Sequence, residues 1–169
     1  EKGKLLSAQN IIVKPDGFTI PYNSVQIHGI TTERALEEGI ARAEPLQLFK
    51  QDIAKATLGI GHNVEFDYNI MGCEFLRMEM ENALEPLDPL DTKLEATNFC
   101  AIPGGRGGQF KWPTLTELHI KLFGEAFGEA HDAAYDVDAT AKCFFGLLKA
   151  SVIPPTDGIS IAEINYEAP

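Results

Sequence analysis

A short apolar run, Thr57-Leu58-Gly59-Ile60-Gly61, stops at His62-Asn63, and a helical stripe of Tyr68, Met71, Phe75 and Met78 begins directly behind it. A run too short for a helix, followed by a 3.6-residue period, reads as strand, tight turn, helix. That unit commits the chain to an α/β layout, where ligands collect at the edge at which strands hand over to helices. The rest of the sequence continues the alternation. Gln9-Asn10-Ile11-Ile12-Val13-Lys14 is β-branched and is closed by the turn signature Pro15-Asp16-Gly17. From Thr31 to Ile53 the pattern is helical in two pieces, with Pro45 placed at a first helical position and Leu46, Phe49 and Ile53 on one face. Leu87 to Leu94 reads as a short third strand, and Pro103 to Gly108, with four glycines, as a loop. Thr114-Leu115-Thr116-Glu117 is a capping box, Leu115, Leu118 and Leu122 share a face, and Gly124 sits where the C-terminal cap belongs. A last helix is expected from about Asp132 to Lys149, burying Ala134, Val137, Ala141, Phe144, Phe145 and Leu148 before Pro154-Pro155 stops it. Three strands are few for this many helices.

Size and charge narrow the class. With 169 residues, 44% of them hydrophobic, one globular domain without a linker is expected. No apolar run approaches the ~20 residues that span a bilayer, and Glu1 to Leu6 lacks the build of a signal peptide, so a soluble cytoplasmic protein with no membrane partner is expected. Cys73, Cys100 and Cys143 are odd in number and widely spaced, which argues against disulfides or zinc and for three buried, reduced thiols. A net charge of −11 has the wrong sign for a protein that holds nucleic acid mainly by neutralising phosphates. Carboxylates gathered around divalent metals escape that objection, because the metals invert the local charge.

Two clusters carry chemistry, Gly61 to Asp67 and His131 to Thr140. Asp67 lies where the buried strand gives way to a helix, and its commoner role there is a helix cap. His131 and Asp136 are five residues apart, about 140° on a continuous helix, so they cannot share a site that way. With Asp132 as N-cap, His131 falls in the preceding loop and can swing over the face from which Asp136 projects. Taken singly, His131 reads as a solvated loop histidine, and Asp136 and Asp138 as a first turn that complements the helix dipole. Arg106, Phe110, Lys111 and Trp112 place positive charge and aromatic faces on one loop, as single-strand stacking sites do, although a loop with one anchoring Trp is the commoner case. His62 and His119 read as structural.

Together, Asn63-x-x-Phe66-Asp67 and His131-x-Ala133-x-x-Asp136 resemble the second and third motifs of the DEDDh 3′→5′ exonucleases, the group containing the proofreading epsilon subunit of bacterial DNA polymerase III. The likeness extends to His28-Gly29-Ile30-Thr31 and to Asp91-Thr92, and so covers nearly all of residues 1–150. It implies a ribonuclease H-like fold, a mixed central sheet between helical layers, with four acids holding two Mg²⁺ or Mn²⁺ ions about 4 Å apart. Asp67 and Asp136 would be two of those acids. His131 would be the general base, a task suited to an imidazole. Asn63, His28, Gly29 and Ile30 would lie near the 3′-terminal nucleotide. The implied partners are single-stranded 3′ ends of DNA or RNA, with a DNA polymerase or another replication or repair protein alongside.

The family's first motif, Asp-x-Glu, has no counterpart, since no Asp here is followed two positions later by Glu. The expectation is an exonuclease domain over residues 1–150 that lacks its first two strands, followed by a tail over 151–169. A rival expectation is a catalytically silent domain that keeps the fold to bind a protein. Two-site uptake of Mn²⁺ separates them.

Overall fold

The computed structural model describes residues 4–128 and 133–155. It is α/β and mostly helical, with a small parallel sheet. Instead of one core, the chain forms two compact units: Gln9–Gly59 with Phe66–Asp88, and Glu1–Ala8 with Ile60–Glu65 and Pro89–Pro169.

The first unit holds α1 (Tyr22–His28), α2 (Thr32–Glu38), α3 (Ala43–Ile53) and most of α4 (Val64–Arg77). The sequence gives no warning of α1, because it buries no residue and so carries no apolar stripe; Pro21 opens it and Gly29, at φ 70°, closes it. Thr31 caps α2 by accepting from the Arg34 N–H at 3.1 Å. In α3, Pro45 is the third residue and not the first; its missing N–H still costs nothing, since first-turn amides have no helical acceptor. Ala35, Leu46, Phe75, Leu84 and Leu87 are buried, and the Phe49 and Phe75 rings lie 6.4 Å apart. A half-buried Arg42–Glu74 ion pair (3.2 Å) ties α3 to α4. The expected strand over residues 9–14 is reduced to one parallel bridge, Val13 with Ile40. Its partner is a single extended residue between two helices, so the ladder stops after Lys14 N–H to Ile40 O and Ile40 N–H to Ile12 O, both 2.9 Å. Gly39 precedes that bridge, and a side chain on it would collide with the Ala35 carbonyl.

The second unit is built around α7 (Leu115–Phe123) and α8 (Ala133–Lys149), with α5 (Thr92–Glu95) and α6 (Thr97–Cys100) beside them. Ala96, Cys100, Leu118, Cys143, Phe144, Leu147, Leu148 and Ile153 form its core. Both partners of the Thr114–Glu117 capping box are in place, and Gly124 adopts φ 83° as the C-terminal cap. The buried face of α8 is Ala139, Cys143, Phe144, Leu147 and Leu148; the expected Val137 is 70% exposed and Ala134 is also exposed. The helix is apolar on more than one side, and the side that turns inward is set by its neighbours. Cys100 and Cys143 are buried as expected, whereas Cys73, on α4, is exposed. Burial pushes the Cys143 thiol up to about 12.

Strands β1 (Gly59–Gly61) and β2 (Pro89–Asp91) form the sheet. Between Pro103 and Phe110 the glycine-rich segment closes on itself through an antiparallel bridge, and Gly105 lies so close to the Gln109 and Phe110 carbonyls that no Cβ fits. Among the described residues no helix is long and apolar enough to cross a membrane.

Candidate functional site

The carboxyl ends of β1 and β2 lie side by side, and the residues that follow them interlock. Buried Thr92 donates its hydroxyl to Gly61 O at 3.0 Å, and His62 Nδ1 lies 3.0 Å from the same hydroxyl. His62 Nε2 is 3.0 Å from the Pro113 carbonyl, so the ring joins β1, β2 and the approach to α7. Desolvation holds the His62 pKa below the usual histidine value; the Pro113 hydrogen bond and the Asp91 charge oppose that, and Lys93 reinforces it.

Asn63 takes φ 74°, a left-handed conformation that Asn tolerates better than most residues. Its N–H donates to Asp91 Oδ1 at 2.9 Å, and the same oxygen accepts the Lys93 N–H at 2.9 Å as the cap of α5. Lys93 Nζ returns to Asn63 Oδ1 at 2.7 Å, lies 3.9 Å from Asp91 Oδ2, and sits 4.4 Å from the centre of the Trp112 ring. Neither Lys93 nor Trp112 could be placed beside Asn63 from the sequence. The one local signal was Asp91 before Thr92 at a strand end, a cap signature.

Asp67 is the fourth residue of α4, exposed in its first turn, and the position before the helix belongs to Asn63. His28 ends α1, and its Nδ1 accepts the Ile30 N–H at 3.0 Å around Gly29, which fixes a neutral ring as the Nε2–H tautomer. Asp136 is half-buried in the first turn of α8. His131, and Asp132 as its expected cap, lie outside the described residues. Asp67 and His28-Gly29-Ile30 belong to the first unit, Asn63 and Asp136 to the second. The basic aromatic loop is divided in its tasks. Lys111 donates to both Glu117 carboxylate oxygens at 2.7 and 2.9 Å and so holds that carboxyl below its usual pKa, while Trp112 carries Lys93. His119 is structural as expected, buried between Phe123 and Phe127 with Nδ1 2.8 Å from Glu125 O.

Carboxylates at positions 67 and 136 are hard oxygen donors of the kind Mg²⁺ and Mn²⁺ prefer. They fit a two-metal centre in kind but not in number, and among the described residues no three His, Cys, Asp or Glu side chains gather as a metal site.

A parallel strand pair whose carboxyl edge carries Asp91 and a left-handed Asn63 is an α/β arrangement of the kind in which ligands bind at the strand–helix junction. The chain belongs to the RNase T/DEDDh exonuclease family, whose model, described as RNase_T, Exonuclease, matches residues 4–144. It is 26% identical over 153 residues to a PolC-type DNA polymerase III of Pediococcus pentosaceus, covering 88% of this chain and 10% of that protein. Ribonuclease T of Marinobacter nauticus is 27% identical over 144 residues, covering 79% of this chain and 60% of that enzyme. The chain thus spans only part of the relatives it matches. Its fold is similar to that of E. coli Exonuclease I solved with a 5cy-dT13 oligonucleotide, with a TM-score of 0.64 and 21% identity over 89% of this chain and 34% of the other.

Proposed function

We propose that this chain is part of a 3′→5′ exonuclease that removes nucleotides from single-stranded 3′ ends. The family match over residues 4–144 carries the reading, because it spans the positions of Asn63, Asp67, His131 and Asp136. The bond from the attacking water oxygen to phosphorus forms, the bond from phosphorus to the 3′ oxygen of the preceding nucleotide breaks, and His131 takes the water proton. Asn63 and the His28-Gly29-Ile30 turn hold the terminal nucleotide. Asp67 and Asp136 are two of the four ligands of two divalent ions, Mg²⁺ or Mn²⁺, which when bound supply hydroxide generation and charge neutralisation. The other two acids of the family's cage, an Asp-x-Glu on the central strand of a ribonuclease H-like three-layer fold, have no counterpart among residues 1–169. Residues 1–150 are the exonuclease part, and the tail over 151–169 is fastened to it at its start by Ile153, which lies in the core of the second unit. Likeness to a small part of PolC-type polymerases supports a replicative or repair partner.

The test uses the full-length protein on a single-stranded oligonucleotide in Mg²⁺ or Mn²⁺. Digestion from the 3′ end is expected, and His131→Ala should slow it by roughly 100-fold or more, the effect of losing a general base. Digestion by His131→Ala at the normal rate sinks the mechanism. Absence of digestion together with no two-site Mn²⁺ uptake leaves the silent, partner-binding domain.

A further inference from the structure

We infer that Lys93 and Asp91 are positioning residues that lock Asn63 as a hydrogen-bond donor to the nucleic-acid backbone, an inference that rests on the exonuclease reading and deepens it. An ammonium group only donates, so the Asn63 atom 2.7 Å from Lys93 Nζ is the amide oxygen, and the amide can be oriented only one way. Lys93 is itself confined. Its side chain is 14% exposed, it lies over the Trp112 ring, and the Asp91 carboxylate beside it is 8% exposed. One oxygen of that carboxylate accepts both the Asn63 and the Lys93 N–H, which holds Asn63 at φ 74° and fixes the two segments against each other. With one lone pair of its oxygen taken by Lys93, the amide is held in one orientation and its NH₂ group is the donor that exposed Asn63 brings to a ligand.

The consequence is chemical selectivity. Reading adenine by its edge takes an amide that donates and accepts at once. A donor fixed in one orientation pairs with acceptors present on every nucleotide, the phosphate and sugar oxygens. Asn63 therefore grips the strand without regard to base, as removal of successive different nucleotides requires.

The test is steady-state digestion of dT and dA oligonucleotides by the full protein and its variants, alongside fluorescence anisotropy of the same oligonucleotides carrying 3′-terminal phosphorothioates. Lys93→Met keeps the apolar stem on Trp112 and removes the donor; KM should rise about tenfold on both oligonucleotides, as for one lost hydrogen bond, with kcat within about twofold. Lys93→Arg should restore most of the loss. Asn63→Asp keeps the bond to Lys93 and deletes the NH₂ group, so it should weaken binding at least as much even if Lys93→Met proves unstable. An unchanged KM in Asn63→Asp, or a fall in kcat without a change in KM in a folded Lys93→Met, overturns the inference. If the parent protein binds but does not digest, the exonuclease reading falls, and anisotropy alone decides: equal Kd for parent and Asn63→Asp refutes the donor role, as does absence of binding by the parent.

Discussion

Thr92→Val tests whether the strand edge is held by one hydroxyl. Valine keeps the shape of threonine and removes only the oxygen, at a side chain that is fully buried. Two groups lose their partner, the Gly61 carbonyl and His62 Nδ1, both 3.0 Å from that oxygen. A buried polar group left unpaired costs about 1–3 kcal/mol. Gly61 and His62 are only partly buried, so the lower end applies to each and the sum is about 2 kcal/mol. For a protein of this size that is a fall in melting temperature of about 4–8 °C. Thr92→Ser supplies the control, since it keeps the hydroxyl and loses one methyl, worth about 1 kcal/mol. Thermal melts followed by circular dichroism should rank the parent above Thr92→Ser and Thr92→Val last. If Thr92→Val melts at or above the parent, or above Thr92→Ser, the hydroxyl is not what fastens the edge.

Leu118→Ala removes a fully buried side chain from the core of the second unit and should cost about 2–5 kcal/mol in urea unfolding. Thr114→Ala breaks the capping box of α7, in which Thr114 Oγ1 accepts from the Glu117 N–H at 3.2 Å, and should cost about 1 kcal/mol by the same assay. Because desolvation places the native His62 pKa below 6.5, the unfolded chain binds the proton more readily; stability is fully present above pH 6.5 and is lost as pH falls from there towards the native value. The urea midpoint should therefore drop between pH 7 and pH 5.5, and drop less in His62→Gln.

What could be read from the sequence was what short-range chemistry decides. The capping box, Gly124 and the leucine face gave α7 almost to the residue, and the run into His62-Asn63 located β1 and α4. The β-branched run over residues 9–14 also has a clear local pattern, yet a strand needs a partner of similar length, and among the described residues only Ile40 pairs with it. On α8 the apolar residues were visible but not which of them turn inward, because that depends on α7 and α5. The candidate site divides in the same way. Asn63, Asp67 and Asp136 came from motif spacing, whereas the clasp of Asp91, Lys93 and Trp112 on Asn63 joins residues about 30 to 50 positions apart and exists only once the strands are paired.

Gly39 and Gly105 carry a consequence for anyone mapping this protein by saturation mutagenesis. At each, the space a side chain would need is filled by main-chain oxygen: Ala35 at the first, Gln109 and Phe110 at the second. Backbone cannot rotate aside as a side chain can, so both codons will score as intolerant of every replacement, on a par with true active-site positions. Pairing the activity screen with a readout of cellular abundance separates the two kinds: substitutions at Gly39 and Gly105 will deplete the protein itself, while those at Asp67 and Asp136, the proposed metal ligands, are expected to leave it present and inert.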